Sequence, residues 1–206
     1  MNRHTMPHRT KNFRLAIALA VSLALAGCNA APSTPAEPPL AGADIGGPFE
    51  LVNKDGETVR WSDFDGRYRM VYFGFTFCPD ICPTDVQRMT QGYNIFAQQN
   101  ADLAKDIQPI FVSVDPERDT PEVVGRFAAA FSDDLIGLTG SPEQIKQAAD
   151  NFRVYYSRGA DTPGGGYLVD HSAIVYLFGR NGEPLATLPT DQGAEAVAAE
   201  LAKWVN

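Results

Sequence analysis

The chain of 206 residues is acidic, with a formal net charge of −8 at pH 7, and every aspartate and glutamate follows residue 27. This charge disfavours nucleic-acid binding, because proteins that bind phosphate backbones need a basic surface. An acidic surface is typical of a soluble domain and is also compatible with cationic partners.

The first 27 residues predict a signal peptide. An apolar run over 15–26 is shorter than the about 20 residues of a membrane-spanning helix. The basic residues before it are Arg3, Arg9, Lys11 and Arg14. The junction Leu25-Ala26-Gly27-Cys28 resembles the lipobox of bacterial lipoproteins, in which the cysteine is acylated and becomes the mature N-terminus. We therefore predict a lipoprotein signal peptide over 1–27 with Cys28 as the lipidation site. The alternative is an ordinary signal peptide with a chance cysteine.

Residues 28–44 predict a tether. Proline and alanine dominate this stretch, which cannot bury a core and favours a semi-extended chain. The remaining residues, 45–206, suffice for one domain and show no internal repeat. The protein is therefore predicted to be exported and lipid-anchored to a membrane, with its domain facing the periplasm or the cell exterior.

Strand and helix signals alternate along this domain. Residues 49–52 and 57–60 flank a turn rich in Asn, Asp and Gly and predict a β-hairpin. Residues 69–75 and 107–114 are apolar runs typical of strands buried on both faces. Apolar spacings of three and four after Pro83 predict a helix to about residue 99. The resulting strand–helix–strand unit implies parallel strands.

The C-terminal half adds further elements to the same α/β sheet. Thr120-Pro-Glu and Ser141-Pro-Glu are N-cap patterns that predict helices to about residues 131 and 152. The other predicted elements are strands at 135–138 and 154–157, a hairpin of 172–178 and 184–188, and a closing helix over 192–205. The glycine-rich segment 161–166 lacks the setting of a phosphate loop and is predicted to be a linker or mobile flap.

Cys78 and Cys82 lie between a predicted strand end and a predicted helix start, at the edge where open α/β folds place their sites. Unpaired amides at the helix N-terminus are expected to lower the pKa of both thiols. A spacing of four residues lets the two sulfurs form a disulfide or bind one metal ion. The spacing alone does not distinguish a disulfide from a metal site, so a purely structural disulfide remains an alternative.

His171 is the sole histidine after the predicted cleavage point. We expect it at the start of the penultimate strand, whose antiparallel direction would bring it to the cysteine edge. A lone histidine is more often a surface or core residue, but this edge also holds the two thiols. Two thiolates and one imidazole suit Cu(I) and Cu(II). Zinc is the alternative, although structural zinc normally takes four protein ligands.

Asp115 directly follows the strand over 107–114 and so reaches the same edge. It is a candidate for orienting His171 or balancing charge around the ligands. Alternatively, it only caps the turn that Asp115-Pro-Glu forms.

Three segments in this order carry a resemblance to a known family. They are Phe75-Thr-Phe-Cys-Pro-Asp-Ile-Cys-Pro-Thr84, Val112-Ser-Val-Asp-Pro-Glu-Arg-Asp-Thr-Pro121 and Tyr167-Leu-Val-Asp-His-Ser-Ala-Ile-Val-Tyr-Leu177. The chain from about Gly47 onward resembles the Sco/SenC proteins, which assist copper insertion into cytochrome c oxidase. Many members are anchored by a transmembrane helix, so the lipobox is a variation.

The resemblance implies a thioredoxin-like fold, with a central mixed sheet flanked by helices and an N-terminal β-hairpin. It also implies that one copper ion, as Cu(I) or Cu(II), is held by Cys78, Cys82 and His171. The two cysteines would form a reversible disulfide, and Asp115 matches a family aspartate near the site.

Two functions follow from this interpretation. The first is a metallochaperone that is not an enzyme and delivers copper to the binuclear centre of cytochrome c oxidase subunit II. Another copper chaperone or a thiol reductase is a further possible partner. The second is a membrane-anchored thiol-disulfide reductase acting on oxidase cysteines. A three-residue spacer between the cysteines favours the first function, as does His171 where similar oxidoreductases carry a cis-proline. Nothing beyond the fold supports a peroxidase.

Overall fold

The structure is a computed structural model that describes Met1, residues 37–162 and residues 165–206. The predicted signal peptide, the Cys28 lipidation site and most of the tether lie outside the described residues. Within the described part of the chain, no helix is long and apolar enough to cross a membrane.

The compact unit that contains the predicted domain begins at Pro38, seven residues before the predicted boundary at residue 45. The end of the predicted tether packs on the domain, where the Leu40 amide donates to the Leu185 carbonyl at 3.0 Å. The Leu40 side chain is partly buried against the core. One apolar residue in a Pro- and Ala-rich stretch thus anchors the last residues of that stretch.

A five-stranded mixed sheet forms the centre of the domain. Its strands are β3 (Tyr68–Gly74), β4 (Ile107–Ser113), β5 (Ile136–Leu138), β8 (Val175–Phe178) and β9 (Pro184–Leu188), and their order in the sheet is β5-β4-β3-β8-β9. The central strand β3 pairs parallel with β4 and antiparallel with β8. Every residue of β3 and β4 is buried, as their apolar runs predict. Sheet and helices together confirm the predicted thioredoxin-like α/β class.

The predicted N-terminal hairpin is confirmed as β1 (Glu50–Val52) and β2 (Thr58–Arg60). The two strands are antiparallel, with Leu51 opposite Val59. A 3₁₀ helix, Trp61–Phe64, follows and was not predicted, because one turn is too short to show a periodic pattern.

The helices are α1 (Ile81–Gln99), α2 (Ala101–Ala104), α3 (Pro121–Ala129), α4 (Pro142–Asn151) and α5 (Ala194–Trp204). Helix α1 begins before Cys82 and not after it, so Cys82 lies in the first helical turn and Pro83 at its third residue. This placement is tolerated because the first amides of a helix have no intrahelical acceptor.

Both predicted N-caps are present, and they differ in strength. Ser141 and Gln144 form a reciprocal capping box at α4, whereas Thr120 makes one long bond of 3.4 Å to Val123 at α3. Ser141→Ala should therefore lower the free energy of unfolding by about 1 kcal/mol, and Thr120→Ala by less. Urea unfolding of both variants measures this, and equal losses would contradict the ranking.

A separate hairpin carries the predicted histidine ligand. Strands β6 (Tyr156–Asp161) and β7 (Tyr167–His171) pair antiparallel, with Tyr156 opposite His171. In the part of the chain that the structure describes, this pair is a sheet of its own. Two expectations are thereby corrected. The strand predicted at 154–157 runs to Asp161, and His171 ends β7 instead of starting the penultimate strand. Of the predicted linker or flap over 161–166, residues 163 and 164 lie outside the described residues, and the Thr162 amide donates to the Gly166 carbonyl at 2.8 Å.

Candidate metal centre

The structure brings the three predicted ligands together. One ligand atom from each of Cys78, Cys82 and His171 lies within 4.8 Å of the other two. The Cys82 Sγ and the His171 Nε2 are 3.1 Å apart, although the residues are separated by 89 positions. Both cysteines are free thiols, so the alternative of a structural disulfide does not describe this state.

The cysteine loop runs from the end of β3 into the first turn of α1. The Cys82 amide donates to the Cys78 Sγ at 3.4 Å, as expected where a helix N-terminus exposes its amides. Gly74 ends β3 and permits this close packing, because a Cβ there would lie 3.2 Å from the Cys82 Sγ and 2.8 Å from the Tyr72 ring. Cys78 is half-buried and Cys82 fully buried.

A buried carboxylate fixes the start of this loop. Asp119 accepts hydrogen bonds from the Thr76 amide at 2.9 Å and from the Thr76 hydroxyl at 2.6 Å. It also accepts a 2.5 Å bond from the Ser113 hydroxyl. Asp119 thereby joins the ends of β3 and β4 beside the cysteines. Burial raises its pKa above the ordinary value, against the opposing effect of these hydrogen bonds. Asp119 was not predicted from the sequence.

The His171 ring is held in one orientation. Its Nδ1 lies 3.1 Å from the Ser172 carbonyl. Since a carbonyl only accepts, Nδ1 carries the hydrogen and the Nε2 lone pair faces Cys82. The rings of Tyr72 and Phe75 meet the imidazole edge-on, with centroids 6.0 and 5.9 Å away. Burial lowers the pKa of His171, which favours the neutral imidazole that binds metals.

The pKa of the Cys82 thiol differs from the expectation in direction. The helix N-terminus was expected to lower its pKa, but burial raises the pKa of the Cys82 thiol. Desolvation of the charged form outweighs the helix dipole here. A metal ion bound at this sulfur must therefore displace its proton.

Two more buried polar groups lie beside the ligands and escaped the sequence analysis. The Tyr72 hydroxyl donates to Asp85 at 3.2 Å, and the hydroxyl also acts to lower the pKa of Cys82. Asp85 is buried and stands three residues after Cys82, one helical turn along α1. That spacing is the only sequence signal that would have indicated it.

Asp115 lies at the predicted edge, where its hydrogen bonds go to residues other than His171. Its carboxylate accepts from Arg118 Nε at 2.6 Å and from the Tyr167 hydroxyl at 2.6 Å. The imidazole Nδ1 is instead fixed by the Ser172 carbonyl. Among the described residues the Asp115 carboxylate and the imidazole therefore share no direct hydrogen bond, and a role of Asp115 in balancing charge or in orienting His171 through other residues stays a prediction.

The donor set fits a soft or borderline metal ion. Two sulfurs and one imidazole nitrogen suit copper in either oxidation state. In the described part of the chain the cluster has three members, whereas a closed structural zinc site normally has four. The cluster thus offers three ligands to one metal ion, one fewer than a closed structural zinc site.

A mixed thioredoxin-like sheet with such a Cys₂His cluster at its edge defines a class of metal-binding protein, and comparisons identify the family. The family model described as SCO1/SenC matches residues 37–206. The chain therefore belongs to the SCO1/SenC family.

Known relatives agree with this assignment. The mitochondrial SCO1 homologue of Homo sapiens is 39% identical over 158 residues, which are 77% of this chain and 52% of that protein. The chain thus spans about half the length of that relative. Arabidopsis thaliana ScoI with copper bound has a TM-score of 0.71 at 38% identity, covering 77% of this chain and 96% of the other.

A third comparison concerns BsSco, described as a Sco-family cytochrome c oxidase assembly protein with a disulfide switch. Its TM-score is 0.61 at 27% identity, covering 82% of this chain and 97% of the other.

Proposed function

We propose that this protein is a copper metallochaperone that binds one copper ion through Cys78, Cys82 and His171. The convergence of the three ligand atoms within 4.8 Å carries this proposal. Thiolate sulfur suits Cu(I), and the imidazole adds a donor that Cu(II) accepts. The copper-bound ScoI from Arabidopsis, at 38% identity, supports copper as the metal.

The recipient that fits this family is the binuclear copper centre of cytochrome c oxidase subunit II. BsSco is described as one of the oxidase assembly proteins, which supports an oxidase partner. Transfer proceeds by exchange of ligands, in which an incoming donor replaces those of the chaperone one at a time. Cys78 is the more exposed of the two sulfurs and is therefore the position at which exchange begins.

The location that suits this transfer is the outer face of a membrane. Lipidation at Cys28 and a tether up to Pro38 would hold the domain near a membrane-bound oxidase, facing the periplasm or the cell exterior. Copper would arrive from another copper chaperone, and a thiol reductase would keep Cys78 and Cys82 reduced in that oxidising compartment.

Thiol-disulfide reduction is a second candidate, favoured by one contact. The Cys82 amide donates to the sulfur of Cys78, the more exposed of the two cysteines. Cys78, as a thiolate, would attack a partner's disulfide and release one partner thiolate. Cys82 would then give its proton to that released thiolate and attack the Cys78 sulfur of the mixed disulfide, which leaves a Cys78–Cys82 disulfide and a fully reduced partner.

Replacement of His171 separates the two functions. His171→Ala should weaken copper binding about 100-fold, or about 2.7 kcal/mol, because one of three donors is lost. Disulfide exchange through Cys78 and Cys82 should stay within about twofold of wild type, since both sulfurs remain. Competition titration with a Cu(I) chelator and a disulfide-reduction assay measure the two effects.

Asp170→Asn is the matched control, because Asp170 is the exposed neighbour of His171 on β7. This variant should keep wild-type copper affinity. Copper affinity of the His171→Ala variant equal to wild type would remove His171 from the site and favour the reductase. A wild-type stoichiometry other than one copper per chain would also contradict the proposal.

A further inference from the structure

The β6–β7 hairpin packs on the core through Val169, Tyr156 and Tyr167, but few of its residues form hydrogen bonds with the rest of the domain. In the described ranges, the hydrogen bonds between residues 156–171 and the rest of the domain involve two hairpin residues, Tyr167 and His171. Tyr167 is the first residue of β7 and His171 is the last. They share one face of the strand, because side chains alternate, and are about 13 Å apart along it.

Tyr167 makes the contacts at the far end of β7. Its backbone carbonyl accepts from Arg118 Nη1 at 2.9 Å, and its hydroxyl donates to Asp115 at 2.6 Å. The Arg118 guanidinium also stacks on the Tyr167 ring, with Cζ 3.6 Å from the ring centroid. Backbone, hydroxyl and ring are thus all held by two residues of the β4–α3 loop.

Arg118 connects this attachment to the cysteine loop. Its Cζ lies 5.0 Å from the centroid of the Phe77 ring, and Phe77 directly precedes Cys78. Its Nε donates to Asp115 at 2.6 Å. One guanidinium therefore contacts the hairpin that carries the histidine, the loop that carries the cysteines, and the carboxylate between them.

We infer that Arg118 is a positioning residue that, with Asp115 and Tyr167, sets the distance between the His171 imidazole and the two thiols. Fixing Tyr167 limits the swing of β7, so Nε2 stays beside Cys82 before a metal ion arrives. This inference rests on the proposed copper site and gives Asp115 a role that acts through the hairpin.

Arg118→Lys tests the inference, because it keeps the positive charge and loses the planar stack and the forked donors. We expect copper affinity to fall about tenfold, as for other groups that orient a ligand. The matched control is Arg158→Lys. Arg158 also stacks on Tyr167, at 4.0 Å, but belongs to the hairpin itself and should leave copper affinity unchanged.

A double variant distinguishes positioning from a general loss of stability. If Arg118 acts through His171, then Arg118→Lys combined with His171→Ala should bind copper no more weakly than His171→Ala alone. Additive losses would overturn the inference, and so would wild-type copper affinity in Arg118→Lys. Should that variant fail to fold, Tyr167→Phe removes only the hydroxyl, with its bonds to Asp115 and Glu117, and should weaken copper binding in the same direction.

Hydrogen exchange on the metal-free protein gives a readout that does not depend on copper. Amides of β7 should exchange about tenfold faster in Arg118→Lys than in wild type or Arg158→Lys, because the hairpin opens more often. Unchanged exchange would overturn the inference even if copper affinity falls. If wild type binds no copper, the proposed function fails, while the exchange result still reports on the hairpin.

Discussion

Cys82→Ser should abolish stable copper binding, with a loss of affinity of about 1000-fold, or about 4.1 kcal/mol. The Cys82 sulfur lies 3.1 Å from the imidazole Nε2, and the amide of the same residue contacts the Cys78 sulfur. Cys82 therefore touches both other ligands. A hydroxyl is a harder donor than a thiolate and suits copper poorly. Competition against a Cu(I) chelator, with metal analysis after gel filtration, measures the loss.

Cys78→Ser is the matched variant, because it makes the same chemical change at the half-buried position. Both serine variants should lose copper, whereas His171→Ala should lose affinity and keep disulfide exchange. Urea unfolding without metal checks that Cys82→Ser remains folded. Tight binding of one copper per chain by Cys82→Ser would remove this residue from the site.

The convergence of the ligands was predictable from the sequence, although the strand that carries His171 was not. The cysteines follow an apolar run that could only be a buried strand, and Pro83 indicated a helix directly after them. The run over 172–178 looked like one continuous strand. In the structure the Ser172 amide donates to the Tyr155 carbonyl, which closes the β6–β7 hairpin, and β8 starts only at Val175.

The buried polar groups around the ligands were not predictable in the same way. Asp119 and Asp85 look like ordinary loop and helix carboxylates in the sequence. Their importance comes from Thr76, Ser113 and Tyr72, which approach them only in the folded domain. The sequence shows which residues have the chemistry of a metal ligand. The polar residues that surround the ligands can be recognised only from the tertiary packing.

The pKa of Cys82 illustrates the same limit. A helix N-terminus is visible in the sequence and favours a thiolate. The extent of burial is not visible, and at Cys82 desolvation has the larger effect and raises the pKa. The expected lower pKa rested on a local effect of the helix. The pKa of Cys82 depends instead on the side chains of β3 and β7 that cover its sulfur.

Asp119→Ala should destabilise the domain by about 3 kcal/mol, because it removes the acceptor of three hydrogen bonds from Thr76 and Ser113 at once. The loosened Thr76 should also weaken copper binding about tenfold. Asp119→Asn is the matched control. Its amide oxygen can accept from the Thr76 amide and the Ser113 hydroxyl, while its NH₂ donates to the Thr76 hydroxyl. This variant should stay within about 1 kcal/mol of wild type at neutral pH.

The pH dependence of wild type and the Asp119→Asn variant gives a second measurement. Burial raises the pKa of Asp119 above its ordinary value of 3.8, so the folded protein binds this proton more tightly than the unfolded chain. The part of the stability that comes from binding this proton is therefore fully present below that value and is lost as the pH rises through the raised native pKa, whereas the hydrogen bonds that Asp119 accepts remain. The side-chain amide of the Asp119→Asn variant does not titrate.

Urea unfolding at a series of pH values should consequently show the Asp119→Asn variant gaining stability relative to wild type as the pH rises from 3.8 through that range. The physical cause is the cost of ionising a carboxyl that is removed from water, which three hydrogen bonds reduce but do not cancel. A stability difference that is constant over this range, or that moves in favour of wild type, would show that the hydrogen bonds outweigh desolvation at Asp119.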